Sequence, residues 1–223
     1  MYGIVRLILC IVSIIAIILL SKTHIPKVAR ITVTIAIILS AFLLSIFPFE
    51  NLLITFLTPE SAYTYYYGAT DNKTVIAGQN SNLVVGTRDN TDLYLIVPKT
   101  RSGWKIGVGL DTQKISQQII GDISVSVYQH NVSNDRYLVI LDTSGDTLAI
   151  TASPNTEFTF RNKENKKTDK TVSAYYAFIS VSQENTIQIT KSSGQLFELV
   201  IDTNGNAKVK SNVAQMTDDG SVS

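Results

Sequence analysis

The sequence predicts a membrane α-helical hairpin joined to a mainly-β domain, an antiparallel meander closed as a sandwich or curled sheet, with one short juxtamembrane helix between them. Three observations carry this. Two apolar runs of 17 residues, Ile4–Leu20 and Ile31–Phe47, follow one another at the N-terminus. From Thr74 onward the chain alternates and is rich in Val, Ile, Thr, Tyr and Phe. Short polar segments ending in glycine separate many of the alternating stretches. The expected organisation is a hairpin over 1–48, a juxtamembrane segment with its helix over 49–72, a β domain over 73–210 and a disordered tail over 211–223.

Each apolar run is close to the shortest that spans a hydrocarbon core of about 30 Å. Ser13, Thr32, Thr34, Ser40 and Ser45 interrupt them only mildly, since hydroxyl side chains bond back to their own helix. The first run does not end in a small-x-small cleavage site, and the second begins only ten residues later, so a hairpin is favoured over a signal peptide. Cys10, the single cysteine, sits inside the first run; it excludes an intrachain disulfide and reads as a small apolar residue. The connection from Ser21 to Arg30 holds Lys22, Lys27 and Arg30, against Arg6 on the other side. By the positive-inside rule this places the loop 21–30 in the cytoplasm, with both termini and the β domain extracytoplasmic.

Pro48 ends the second helix, because the residue before a proline is pushed out of helical geometry. Leu52–Leu57 is apolar but too short to span and reads as an interfacial segment, with a strand or a membrane-embedded element as alternatives. Thr58-Pro59-Glu60 then opens a helix: threonine caps, proline fits the first position, and a carboxylate suits the helix dipole. Gly68 stops it. Tyr63, Tyr65, Tyr66 and Tyr67 on that helix are candidate interaction residues, as an aromatic belt at the headgroups or a ligand-stacking surface; the bland reading is a face packed on the sheet.

Candidate strands are 74–77, 82–87, 92–97, 104–108, 123–129, 136–141, 147–151, 157–161, 172–182, 186–190, 195–201 and 207–210, with 112–120 a short helix or a loop. Four segments have the form strand, polar turn, glycine, strand: Pro98–Gly103, Asp142–Gly145, Lys191–Gly194 and Asp202–Gly205. In each the glycine is expected at positive φ in a hairpin turn. The pairs Tyr94 with Trp104, Tyr137 with Leu148 and Tyr176 with Ile187 suggest a duplicated hairpin unit.

Charge and motif content exclude several chemistries. Residues 1–48 carry four basic residues and no acid; beyond them fifteen basic face eighteen acidic residues, a balance of −3. That is no field for a phosphate backbone, so nucleic acid is not an expected partner. The domain has no cysteine and only one histidine, His130, in a turn-like stretch, which leaves no zinc cluster and no Cys/His pair. No glycine-rich phosphate loop precedes a helix, so no cofactor, metal or catalytic residues are assigned. Asp142-Thr143-Ser144 and Asp202-Thr203-Asn204 superficially match the Asp-Thr-Gly loops of aspartic proteases, but neither has glycine third, and Lys191-Ser192-Ser193-Gly194 makes the same turn without a carboxylate. The charged run 161–170, with Lys163, Lys166, Lys167 and Lys170, is a solvated loop or a contact for an anionic partner or lipid headgroup.

Phe49-Glu50-Asn51-Leu52 with Thr55-Phe56, then Thr58-Pro59-Glu60-Ser61-Ala62 with Tyr65-Tyr66, and later Val97-Pro98-Lys99 with Gly103-Trp104-Lys105, cover about a quarter of the chain. In these the chain resembles a group of small, uncharacterised two-pass membrane proteins of Gram-positive bacteria. The resemblance implies an envelope location and a β-rich outer domain, and transfers no catalytic residue. The expectation is a membrane-anchored, non-enzymatic envelope protein whose partners are the lipid bilayer and another envelope protein or a cell-wall component, in an accessory or sensory role. The alternatives are a membrane-tethered hydrolase using Asp142 and Asp202, and a small subunit of a transport or signalling complex acting through its hairpin, whose Thr34, Ala41 and Ser45 form a small-residue stripe.

Overall fold

A computed structural model describes residues 2–46, 51, 54–107, 112–131, 133–165 and 170–213. Two helices, α1 (Tyr2–Ser21) and α2 (Lys27–Ile46), pack antiparallel and are each long and apolar enough to cross a membrane. Neither span buries any share of itself in the protein, and Ile4, Leu7, Ile15, Leu19, Ile35, Leu39 and Phe42 all face outward. A helix pair belonging to a soluble core would hide these side chains. Ser13 and Thr34 bond back to Leu9 and Arg30 carbonyls one turn earlier, which removes their polar cost as expected. At the connection, Arg30 Nη2 donates to the Thr23 carbonyl at 2.7 Å and ties the loop to the start of α2. At the other end, Arg6 on α1 donates through Nη1 to the Leu44 carbonyl of α2.

Helix α3 (Pro59–Tyr67) forms as its end signals require. Thr58 accepts from the Ser61 amide at 3.2 Å, Pro59 and Glu60 occupy the first turn, and Gly68 closes it at φ 86° with its amide on the Thr64 carbonyl.

The remainder is β, in three antiparallel sheets. Sheet I holds β1 (Asp71–Ala77), β2 (Ser81–Arg88), β3 (Thr91–Thr100) and β4 (Gly103–Trp104) in that order. Sheet II has the order β5-β6-β7-β10-β9, from β5 (Thr112–Ile120), β6 (Ile123–His130), β7 (Arg136–Asp142), β9 (Thr159–Asn165) and β10 (Lys170–Ile179). Sheet III has the order β13-β12-β11-β8, from β8 (Ala149–Ser153), β11 (Asn185–Thr190), β12 (Leu196–Ile201) and β13 (Ala207–Val213).

Side-chain alternation stacks these as layers. On β7, Leu138 and Ile140 face sheet III and join Ile187, Ile189, Phe197, Leu199 and Ile201 in the largest core. Tyr137 and Val139 point the other way and meet Leu83, Val85 and Ile96 of sheet I. Sheet I in turn buries Val84, Leu95 and Val97 against Ala62 and Tyr63 of α3. The order is α3, sheet I, sheet II, sheet III. Sheets I and II are covered on both faces, which is why 83–85, 95–97 and 137–141 are unbroken apolar runs rather than alternating ones. Sheet III is covered on one face only, and β11 alternates accordingly: Ile187 and Ile189 inside, Gln188 exposed. Beside this sandwich β5 and β13 meet through side chains, the Ala207 amide donating to Ser116 Oγ and Gln118 Nε2 to the Ala207 carbonyl, both at 2.9 Å.

Several expectations need correction. Residues 112–120 are strand, not helix or loop: the pairing slips between Lys114 and Ser116, and this bulge breaks the alternation a strand would show in the sequence. Asp142–Gly145 is no hairpin but the crossing from sheet II to sheet III, although Gly145 does take φ 86°. The other three glycine turns are hairpins. The duplicated unit is absent from the pairing: Tyr94 lies opposite Val85, Tyr137 opposite Tyr128 and Phe178, and Tyr176 opposite Val139 and Thr159. The tail expected from Ser211 does not start there, since β13 runs to Val213; residues 214–223 lie outside the described residues. Within the segment 52–57, Leu52 and Leu53 lie outside the described residues, and Phe56 is bridged to Trp104 at the edge of sheet I.

Candidate functional site

The four tyrosines of α3 lie along its contact with sheet I. Tyr63 is fully buried and donates to the Leu93 carbonyl at 3.1 Å; Tyr67 donates to the Tyr94 carbonyl at 2.9 Å. Burial raises both phenols, Tyr67 up to about 12, with Tyr66 and Tyr63 adding to the effect. Tyr66 lies edge-on to Tyr67 and Tyr65 tilts against Phe56, so the row seals α3 to sheet I. Tyr63 and Tyr67 thus lie on the face of α3 packed against sheet I. Lys166 and Lys167 lie outside the described residues, as do the side chains of Lys163 and Lys170, whose backbones lie within β9 and at the start of β10.

Asp142 and Asp202 are not brought together. Asp142 ends β7, is fully buried, and accepts from the Ser144 amide and hydroxyl in a local turn. Asp202 lies by the opposite end of that strand, where Arg136 Nη1 donates to its carbonyl at 3.4 Å. Six strand steps of about 3.3 Å, roughly 20 Å, separate Arg136 from Asp142, so the two carboxylates sit toward opposite ends of β7 and do not share a proton. The Asp202 carboxyl is instead occupied by its own turn, and the Asn206 side chain and amide hold it below the usual carboxylate range.

What the fold does assemble is a polar cluster between sheets I and II that sequence spacing did not reveal. Asp135 Oδ2 accepts three donors: the Asn80 amide at 2.8 Å, the Ser81 amide at 2.7 Å and the Ser81 hydroxyl at 2.8 Å. A carboxylate cannot donate, so the Ser81 proton points to Asp135, and the Tyr137 hydroxyl at 2.9 Å donates to Ser81. Burial, with the nearby Asp135 charge adding, drives the Tyr137 phenol up and keeps it protonated. Ser133 continues the chain, 3.4 Å from Ser81 Oγ and 3.0 Å from His130 Nδ1. The Ser133 amide also donates to Nδ1 at 3.1 Å, which makes Nδ1 the unprotonated ring nitrogen. Gly78 is required beside this cluster, because a Cβ there would lie 2.7 Å from Asp135 Oδ2 and also strike the Tyr137 hydroxyl.

A hollow of about 400 Å³ opens onto the cluster, lined by Asn51, Asn80, Pro98, Lys99, Thr100, Ile106, His130 and Ser133. A second hollow of equal size lies beside β1, under Pro154–Glu157. The first is distinguished by its rim. Asn51, just beyond α2, bonds Ile106 twice, Nδ2 to the carbonyl at 2.9 Å and Oδ1 from the amide at 2.8 Å. Lys105 Nζ donates to the Asn51 and Ile54 carbonyls and to Thr55 Oγ1, at 2.6–2.8 Å. Phe56 and Trp104 exchange both backbone bonds. The segment leaving the hairpin is thus clamped to the sheet edge that walls the hollow. The sequence marks Asn51, Lys99 and Trp104 through turn, strand and resemblance, but nothing in it joins Ser81 to Asp135, 54 residues away.

The hollow offers hydrogen-bonding groups and one ammonium over an apolar floor of Pro98 and Ile106, the composition of a small-ligand or peptide-side-chain site. Among the described residues no group of three His, Cys, Asp or Glu side chains converges as metal ligands. No family profile, curated protein or solved structure matches the chain.

Proposed function

We propose that this is a membrane-anchored, non-enzymatic protein of the cell envelope, whose β domain lies outside the cytoplasm and binds an envelope protein or a cell-wall component in a sensory or accessory role. The observation that carries the reading is the clamp: Asn51 and Lys105 fix the exit of the hairpin to the strand edge lining the polar hollow. A ligand seated there presses on Asn51 and Ile106, which tie the hairpin's exit to the sheet. The nearest approach to a catalytic set favours the same reading. Ser81 is 1 % and His130 2 % exposed, and the Asp135 carboxylate is committed to holding a turn. The resemblance to two-pass membrane proteins of Gram-positive bacteria supports the envelope location, and the basic loop 21–30 supports the orientation.

Topology tests it. Ser193, exposed in the β11–β12 turn, is changed to cysteine with Cys10 replaced by alanine, and intact cells are treated with a membrane-impermeant thiol reagent. Labelling of intact cells is the expected outcome. Labelling only after lysis places the domain in the cytoplasm and overturns the envelope reading.

A further inference from the structure

We propose that the sheet I edge around Trp104 rests on the bilayer surface, with Lys99 and Arg101 taking the phosphates of anionic phospholipids and Leu57 entering the headgroup layer. This rests on the membrane reading of the hairpin and adds a lipid class and a docking face to it.

Position comes first. α3 and sheet I form the layer next to the hairpin: α1 packs against α3, and the chain reaches Asn51 directly after α2. Register then sets Phe56, Trp104 and Lys99 side by side, because Trp104 bridges Phe56 on one flank and pairs with Lys99 on the other. Residues opposite one another in adjacent strands share a face, and Phe56 and Trp104 both pack with α3, on the side that carries the hairpin. Leu57 comes next in the chain and is 92 % exposed. One exposed leucine is ordinary anywhere on a protein; one between a clamped membrane exit and a helix touching α1 lies where lipid is at hand.

Charge supplies the lipid class. Residues 96–107 contain Lys99, Arg101 and Lys105 and no acid. Lys105 is used up on the carbonyls of the juxtamembrane segment. Lys99 and Arg101 are exposed, and neither pairs with a carboxylate among the described residues. The Lys99 ammonium lies 5.6 Å from the Trp104 ring centre, so the indole holds that cation at one place. A tryptophan flanked by cations and an exposed aliphatic side chain is an interfacial anchor, and its charge complements a phosphodiester.

Trp104 is the single tryptophan of the chain and therefore reports on its own site. The full chain is reconstituted into nanodiscs of phosphatidylcholine, with or without one third phosphatidylglycerol, using acyl chains brominated near the headgroup. The expected result is quenching of Trp104 that is stronger in the anionic discs and weakens with salt. Each cation shifts the balance of docked and undocked domain about fivefold, so Lys99→Ala with Arg101→Ala lowers it about 25-fold. Leu57→Ser, at a site packing does not use, reduces quenching in both lipids. Three results overturn the proposal. Retention in discs without quenching in either lipid removes the docking face and leaves the membrane anchor standing. Quenching equal in both lipids and indifferent to the paired alanines removes the anionic headgroup. Failure of the chain to stay with discs through size exclusion removes the anchor itself, and the docking face with it.

Discussion

Asp135 is a buried acceptor, since one oxygen satisfies two backbone amides and a hydroxyl while 3 % exposed. Hydrogen bonds to an ionised acceptor are stronger than neutral ones, and losing the acceptor strands its buried donors. Asp135→Asn keeps the shape but removes the charge and turns donors toward the Asn80 and Ser81 amides if the amide group is flipped. The expected loss is about 2–4 kcal/mol of unfolding free energy, read by urea denaturation of the detergent-solubilised chain. A change within about 0.5 kcal/mol would show that the cluster does not hold sheets I and II together. None of this was legible beforehand, and the reason is physical. The partners come from the β1–β2 turn, β2, β6, the β6–β7 loop and β7, and nothing local requires Ser81 to find residue 135. What the sequence did contain is a concentration of turn formers at 130–135, enough to expect a bend and too little to expect a cluster.

Lys105 decides how the hairpin and the β domain are joined. Its ammonium closes the ends of the segment 51–55, and its loss leaves Asn51 and the Phe56–Trp104 bridge as the remaining ties. Lys105→Met preserves the aliphatic stem and deletes the donors. Hydrogen exchange at the Phe56 and Trp104 amides is expected to quicken by about tenfold or more, as for a local opening made about 1–2 kcal/mol easier, while sheet III amides keep their protection. Unchanged exchange at Phe56 and Trp104 would mean that the clamp does not depend on this lysine. Local chemistry fixed the elements unevenly. The capped helix α3 and the three glycine hairpins were readable because each is determined within a few residues. The β2–β3 hairpin joins two strands the sequence also marks: Asp89 and Asn90 take φ of 50° and 60° between paired Arg88 and Thr91, the two-residue turn in which asparagine and aspartate stand in for glycine. β5 was hidden by its bulge, which lets Ile115 and Ile119 fall at a helical spacing of four.

At the scale of the whole molecule, burial on two faces was visible as unbroken apolar runs, whereas the order of the layers was not, since it depends on the chain leaving sheet II for sheet III after β7, returning at β9 and leaving again after β10. The seams between those layers are rich in tyrosine, and this gives the fold a characteristic alkaline limit. Tyr94 stacks on Tyr128 between sheets I and II, with Tyr176 and Tyr137 in the same layer, and Tyr67 seals α3 to sheet I. Burial is the first cause that raises each of these phenols, Tyr67 and Tyr176 to about 12 and Tyr94 and Tyr137 further. The neutral form is the one the fold favours, so the folded state holds these protons more tightly than the unfolded chain, whose tyrosines ionise near pH 10. The stability they contribute is fully present below pH 10 and is lost as pH rises toward 12 and beyond. Absorbance at 295 nm followed together with far-ultraviolet circular dichroism, on the full chain in detergent, checks this. The buried phenols ionise only as the β signal collapses, in one cooperative step above pH 10. Complete phenolate absorbance by about pH 10.5 with native dichroism would mean that these rings are open to water, and that the layers do not close on each other as described.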